Sequence, residues 1–204
     1  MTAAKIFLIM RREKAFGAAT SANGEERELA KETYPEAYVR FLVHFHGDRD
    51  YFECHELLEE YWKEHPDSPY RDAWVAMIQA AVGMYHYRRG NVRGAAKSFE
   101  GAIRRSAAEA LRELGIEPDA WLDALRKALD GARSEPPAPF RDVDIPIADD
   151  DLKAECRARC AAAGFAWGAP SRLDDLELVD RHARRDRSDV IEARRRALAR
   201  RADR

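Results

Sequence analysis

The sequence predicts an all-α protein: a compact antiparallel bundle of four to five helices with a helical C-terminal extension. Apolar residues recur every three to four positions in several segments of helix length, which is the spacing of one face of an α-helix. Turn and breaker residues such as Gly47, Pro66, Gly90 and Gly115 separate these segments. Only a short, charged stretch at 142–147 has any extended character, so no sheet is expected.

Composition divides the chain into four regions. Residues 1–24 form a flexible N-terminal extension that ends in a turn-like Ser-Ala-Asn-Gly run. Residues 25–132 form the helical bundle domain. A Pro-rich linker at 133–148 separates this domain from a helical, Arg-rich C-terminal extension at 149–204.

Each helix of the bundle has its own boundary signals. The helix that contains residues 51–62 begins with Asp48 or Asp50 as N-cap and ends near His65-Pro66. The next helix, at 71–89, is apolar on nearly all sides, so we expect it at the centre. The other predicted helices lie at 25–45, 92–114 and 118–132.

The bulk properties exclude several classes of protein. The net charge is −2, so no overall basic field calls for nucleic acid. Three cysteines are too few for a disulfide framework and indicate a reduced, cytoplasmic protein. The apolar run at 6–10 is too short for a signal sequence or a membrane span, and we expect no membrane association.

The most informative stretch is residues 51–62, YFECHELLEEYW. Helical spacing places His55 and Trp62 on its most apolar face, with Glu59 on the flank. The other glutamates point away from the core: Glu53, Glu56, Glu60 and Glu64. On the buried helix that follows, Asp72, Gln79 and His86 recur every seven residues and form one polar line. Such a line needs polar partners on a neighbouring helix, and His55 and Glu59 are the obvious candidates.

These residues define the leading candidate site: His55, Glu59, Gln79 and His86, with Trp62 as a flanking aromatic side chain. In one interpretation they form a small-ligand site, or His55, Glu59 and His86 ligate a divalent metal. In the other interpretation they form a buried hydrogen-bond network that sets the register of two helices.

A catalytic alternative rests on the order His55-Glu56-x-x-Glu59. It resembles the metalloprotease helix His-Glu-x-x-His, in which the glutamate activates a metal-bound water. The second ligand here is a glutamate, and Glu56 is the candidate base. Whether the protein is an enzyme stays open at this point.

The central segment resembles the mainly prokaryotic family called domain of unknown function 309. The resemblance rests on three blocks: Phe45-His46-x-x-x-x-Tyr51-x-x-x-His55-Glu56-x-x-Glu59-x-x-Trp62, then Ile78-Gln79-x-Ala81, then Tyr85-His86-x-x-x-Gly90-Asn91-x-x-Gly94-Ala95. It implies an all-α fold and no settled activity. The family's usual glycine two residues before Ile78 is Ala76 here. Residues 1–24 and about 140–204 lie outside the resemblance.

A weaker resemblance links the segment at 82–102 to a tetratricopeptide helix hairpin. The motif's signature positions are occupied by Val82-Gly83, Gly90-Asn91, Ala95, Phe99 and Ala102, but no second copy follows. We therefore expect shared packing between two helices and no solenoid.

Three functional hypotheses follow. The first is a non-catalytic binding or scaffold domain of uncharacterised role. The second is a metal-dependent, hydrolase-like enzyme. The third is a nucleic-acid accessory protein that uses the Arg-rich end, although a solvated terminal helix is the more common meaning of such a run. Leu57, with Met77 and Met84, suggests a second apolar surface and hence a homodimer or a protein partner.

Overall fold

The part of the chain that the structure describes contains eight helices and no strand. The structure, a computed structural model, describes residues 34–181. The helices are α1 (Glu36–His46), α2 (Tyr51–Glu64), α3 (Arg71–Arg88), α4 (Val92–Arg105), α5 (Ala108–Glu113), α6 (Pro118–Arg133), α7 (Asp150–Ala162) and α8 (Leu176–Val179). The predicted all-α class and helical bundle are confirmed. Within the described residues, no helix combines the length and apolar composition that crossing a bilayer demands.

The first four helices pack in chain order. α1 contacts α2, α2 contacts α3, and α3 contacts α4, while α6 returns to pack on α4. Connections of three to six residues join these consecutive partners, so neighbouring helices run antiparallel.

α3 lies at the centre of the bundle. Twelve of its 18 residues are buried, including Trp74, Met77 and Met84. A helix enclosed on several sides carries apolar residues around most of its circumference, as this sequence does.

Two predicted helix starts coincide with side-chain caps. The Asp50 carboxylate accepts a hydrogen bond from the Glu53 backbone N–H at 3.0 Å, and it caps α2. The Asn91 side chain accepts one from the Gly94 N–H at 3.0 Å at the start of α4. Each cap satisfies a backbone donor that the first helical turn leaves unpaired.

The helix predicted at 92–114 is two helices. α4 ends at Arg105, and α5 begins two residues after Ser106. The Ser106 hydroxyl donates to the Ala102 carbonyl at 2.9 Å and accepts from Trp121 Nε1 at 3.2 Å. Because this serine joins the end of α4 to α6, the tertiary contact accounts for a break that local periodicity does not reveal.

The N-terminal predictions lie mostly outside the described residues. This holds for the extension at 1–24 and for the first part of the helix expected at 25–45. The described part of that helix begins at Glu36, with Pro35 in the N-cap position.

The segment after α6 packs across the bundle. Ile145 and Ile147 are buried, and Ile147 forms an isolated antiparallel bridge with Ile116. α7 lies against α1 and contributes the buried Cys156 and Cys160. The stretch predicted as a linker therefore carries core contacts, and the described part of the C-terminal region is continuous with the bundle.

Candidate functional site

The position of the candidate site follows from the buried face of α2. This face consists of Tyr51, Cys54, Leu57 and Leu58, and α2 contacts α1 and α3. His55, Glu56 and Glu59 consequently occupy a flank of the helix. Their side chains are 27%, 37% and 31% exposed, so the cluster is half-buried and open to solvent.

His55 lies between two carboxylates of its own helix. Its Nε2 is 2.9 Å from Glu59 Oε2, and its Nδ1 is 3.2 Å from Glu56 Oε1. Lys63 Nζ lies 2.8 Å from the second oxygen of Glu59. His55 therefore has a carboxylate oxygen on each side of its ring, and this concentration of negative charge attracts a cation.

The same three side chains have the donor types of a metal site. One ligand atom each from His55, Glu56 and Glu59 lies within 4.8 Å of the others. Glu56, which helical spacing directs away from the core, is thus brought beside His55 as a possible third ligand. This differs from the predicted set, in which His86 stands in that place.

Gln79 and His86 contact α4 and its cap. Gln79 Oε1 accepts from Arg105 at 3.3 Å, and its amide lies against Gly101. His86 Nδ1 is 3.1 Å from the side-chain nitrogen of Asn91. Both side chains are half-buried. The structure therefore joins His55 with Glu56 and Glu59, whereas Gln79 contacts Arg105 of α4 and His86 contacts Asn91.

Trp62 lies farther along α2, with its indole partly buried. Its Nε1 has no hydrogen-bond partner within residues 34–181, and the Arg71 guanidinium stacks 5.2 Å from the ring centroid. At the other end of the helix, the Phe52 ring lies 6.2 Å from His55 and 6.1 Å from Tyr85. Aromatic side chains thus lie near both ends of the cluster.

A line of carboxylates runs beside this cluster. Glu53, Glu60 and Glu64 share one side of α2, and we call them the acidic stripe. None of the three forms an ion pair with any residue in 34–181. Like charges along one helix face repel each other, so the stripe favours a cationic neighbour.

The second apolar surface expected from the sequence is covered. Met77 and Met84 are buried in the core. Leu57 is only 9% exposed, although it is not part of the contiguous core cluster that contains Tyr51, Cys54 and Leu58. These three side chains do not form an exposed patch.

Sequence reasoning missed a buried polar centre around Arg49. This residue is 2% exposed and adopts a left-handed backbone with φ of 60°. Its guanidinium donates to the carbonyls of Phe45 (2.9 Å), Val143 (3.2 Å) and Ala169 (2.8 Å), and it pairs with Asp144 at 2.8 Å. A single side chain therefore ties the α1–α2 turn to two distant parts of the C-terminal segment.

Asp142 is the second member of this centre. It accepts from the Tyr51 hydroxyl at 2.7 Å and from the Ser171 backbone N–H at 2.7 Å. Burial, reinforced by the Asp142 charge, raises the pKa of Tyr51 well above its usual range. Tyr51 is consequently a neutral donor that anchors Asp142.

Arg88 completes the centre from the end of α3. It donates to the Arg49 carbonyl at 2.8 Å and to the Leu178 carbonyl at 3.0 Å, and it stacks over the Tyr51 ring. Burial lowers its pKa. The only local signal for this centre is the alternation of Asp142 and Asp144 with apolar residues, and that pattern does not identify the arginine partners.

His46 forms a separate buried contact. Its Nε2 accepts from the Ile145 N–H at 3.0 Å, its Nδ1 lies 2.9 Å from the Leu42 carbonyl, and its ring stacks on Trp167 at 4.2 Å. These distances fit the neutral tautomer with the proton on Nδ1. His46 therefore holds the C-terminal segment on α1.

Comparison with known proteins gives two matches. The family profile described as "Domain of unknown function (DUF309)" matches residues 38–98. A Bacillus subtilis (strain 168) protein printed as "Uncharacterized protein YpuF" is 41% identical over 170 residues, which cover 82% of this chain and 97% of the relative. No solved structure matches the chain significantly. Neither printed name assigns an activity or a ligand.

Proposed function

The chain belongs to the family described as Domain of unknown function (DUF309), and from that premise we propose that it is a non-catalytic binding module. Its binding surface consists of the acidic stripe and the His55 cluster, and the ligand is a positively charged segment of a protein partner. The observation that carries this proposal is the acidic stripe, whose three carboxylates form no ion pair with any residue in 34–181.

Charge along α2 supports this function. The helix carries five glutamates and one lysine in 14 residues, although the whole chain is nearly neutral. Lys63 compensates Glu59 alone. A concentrated field of one sign steers an oppositely charged partner toward the surface and selects against partners of like charge.

The placement of the polar residues favours binding over catalysis. His55, Glu56 and Glu59 occupy one turn of one helix and face solvent in part. Active sites usually converge in a concave pocket that excludes water. An open groove of about 340 Å³ does lie between α4 and α6, but residues of the His55 cluster do not line it.

Binding of a fluorescent nona-arginine peptide, followed by anisotropy, tests the proposal. We expect E53Q/E60Q/E64Q to weaken binding about tenfold or more, and 500 mM salt to weaken it further, because both reduce the charge attraction. The matched control is E109Q/E113Q/D130N, which removes three exposed carboxylates from α5 and α6. Equal affinity of the two triple variants contradicts the proposal.

A divalent transition metal at His55, Glu56 and Glu59 is a second candidate ligand. The three donor atoms within 4.8 Å of each other favour it, since imidazole and carboxylate suit Zn²⁺ and Ni²⁺. Calorimetric titration with Zn²⁺ should then show a site that H55A and E59Q each abolish. H44Q, which removes another half-buried histidine, is the control. Unchanged binding by H55A contradicts the metal site.

We also propose a cytoplasmic location. Cys54, Cys156 and Cys160 are free thiols, and all three are buried. Unpaired thiols are typical of reducing compartments. Fractionation of cells that express the tagged chain tests this, and recovery with the periplasmic or secreted fraction contradicts it.

A further inference from the structure

We propose that the groove between α4 and α6 binds a small phosphate monoester. Residues of the acidic stripe and of the His55 cluster do not line this groove, so the proposal goes beyond the proposed function and does not depend on it. The argument uses the shape of the groove, the charges of its side chains and the apolar surface between them.

The groove forms where two antiparallel helices separate. Trp121, at the start of α6, donates to Ser106, just after the end of α4, at 3.2 Å. At the other end of this helix pair, Val92 at the start of α4 and Arg133 at the end of α6 line one open groove. Its volume is about 340 Å³, which lies within the range of about 300–1,000 Å³ that is typical of small-molecule sites.

Positive side chains predominate in the groove. Arg93, Lys97 and Arg133 line it together with one carboxylate, Glu100, which leaves an excess of two positive charges. The whole chain carries a net charge of −2, so this excess is local. Arg93 and Lys97 are exposed, and neither forms an ion pair with any residue in 34–181. Because like charges one helical turn apart repel each other, an anion that contacts both side chains stabilises this part of α4.

Glu100 occupies part of this positive field. Its carboxylate pairs with the Arg133 guanidinium, and the two side chains are 34% and 55% exposed. Solvent screens such a pair, so the bridge is weak and an anionic ligand can replace it. The guanidinium then donates two parallel N–H bonds to phosphate oxygens, and Glu100 acts as a competitor for the ligand.

The surface between the charges is apolar. Val92 and Ala96 are half-buried, and Ala132 is buried. These short side chains offer no hydrogen-bonding group, so they fit the organic part of a ligand and not a second charged group.

The charges select the class of anion. A phosphate monoester carries about 1.5–2 negative charges at pH 7, which match the two excess positive charges, whereas a carboxylate carries one. Arginine and lysine are also the usual phosphate-binding side chains. The unpaired cations Arg93 and Lys97 span a single helical turn, so they serve one phosphate group and not the row of phosphates along a nucleic-acid strand.

Titration of the full-length chain with phenyl phosphate, followed by backbone amide chemical shifts, tests the proposal. We expect shift changes confined to residues 92–100 and 131–133. R93Q/K97Q should weaken binding about tenfold or more, because two charge-assisted hydrogen bonds are lost. The matched control is R40Q/K127Q, which removes one exposed arginine and one exposed lysine that do not line the groove and should leave the affinity unchanged.

A variant with the opposite expected effect separates this site from general attraction to basic residues. E100Q should bind phenyl phosphate about threefold tighter than the wild-type chain, because it releases the Arg133 guanidinium. Benzoate, which has the same ring and one charge, should bind more weakly than phenyl phosphate. Inorganic phosphate, which lacks the ring, should also bind more weakly.

Several results overturn the proposal. Among them are equal affinities of R93Q/K97Q and R40Q/K127Q, no gain in affinity in E100Q, and shift changes that lie outside the groove or are absent. Benzoate that binds as tightly as phenyl phosphate contradicts the phosphate class. A single-stranded DNA oligonucleotide that binds through Arg93 and Lys97 while phenyl phosphate does not identifies a nucleic-acid surface instead.

Discussion

Gly83 of α3 lies directly against the ring of Phe99 of α4. A Cβ at position 83 would be 2.5 Å from Phe99 Cε1. The small residue therefore allows the two helices to approach closely. The sequence pattern at 82–102 predicts packing of a small residue against a large one, and the structure identifies the pair as Gly83 and Phe99. α4 also packs against α6, so the Gly83–Phe99 contact helps to position both helices.

Replacement of Gly83 tests this packing. Alanine is favoured over glycine in a helix by about 1 kcal/mol, but the clash with Phe99 should outweigh this gain. We expect G83A to lower the free energy of unfolding by about 1–3 kcal/mol in urea titrations. The double variant G83A/F99L should recover part of that loss. A G83A protein as stable as the wild type contradicts the close-packing argument.

Arg88 should be essential for stability. Its replacement by methionine removes the guanidinium that donates to the Leu178 carbonyl and to the Arg49 carbonyl, although the Arg49 carbonyl keeps the Tyr51 backbone N–H at 2.9 Å. Removing the donor of such a buried hydrogen bond costs about 1–3 kcal/mol. The measurement is the urea midpoint of R88M, compared with that of R126M, which removes an exposed arginine. Similar midpoints for R88M and R126M refute the role of this centre.

Tyr51 should contribute through its hydroxyl as well as its ring. Y51F removes the donor to Asp142 and leaves that carboxylate with fewer partners. We expect a loss of about 1–3 kcal/mol. Y61F is the control, because the Tyr61 ring packs on Trp74 and His65 in the same helix region. The prediction fails when Y51F and Y61F unfold at the same urea concentration.

His46 should make stability depend on pH. Burial lowers its pKa from the ordinary value of 6.5, so the unfolded chain takes up a proton more readily than the folded chain. The stability that neutral His46 provides is fully present above about pH 6.5 and declines as the pH falls below it. Two charged groups also act on the pKa of His46: Asp144 raises it and Arg49 lowers it.

The measurement compares wild type with H46Q by urea unfolding at pH 7.5 and pH 5. The difference in free energy of unfolding between the two proteins should be smaller at pH 5 than at pH 7.5, because only the wild type loses stability when His46 takes up a proton. H44Q is the control for a partly exposed histidine. A difference that grows or stays constant at pH 5 is incompatible with a buried, neutral His46.

The local part of the candidate site was predictable from the sequence. His55 and Glu59 are one helical turn apart, so their pairing follows from the pitch of α2. Glu56 was placed on the outer side by the same rule, but a long side chain can turn along the helix surface to reach His55. Helical projection gives the direction of Cβ and does not specify where a flexible carboxylate ends.

The partners of Gln79 and His86 were not predictable. Their seven-residue spacing correctly indicates a shared line on α3, but α3 is enclosed by several helices. The helix that this line contacts depends on how α3 is rotated in the bundle. In the folded protein Gln79 contacts Arg105 of α4.

The sequence by itself determined the helical class, a helix start at Asp48 or Asp50, the stop and turn at Gly90-Asn91, and the packing of a small residue of one helix against a large residue of the next. These features depend on residues within one helix or one hairpin, where spacing translates directly into geometry. Only the tertiary structure decided that the C-terminal segment crosses the bundle and that Arg49 holds it. The Arg49 contacts with Asp144 and Ala169 join residues 95 and 120 positions apart. Many carbonyls and carboxylates in the chain are chemically suitable for such contacts, so burial in the folded protein is what selects these partners.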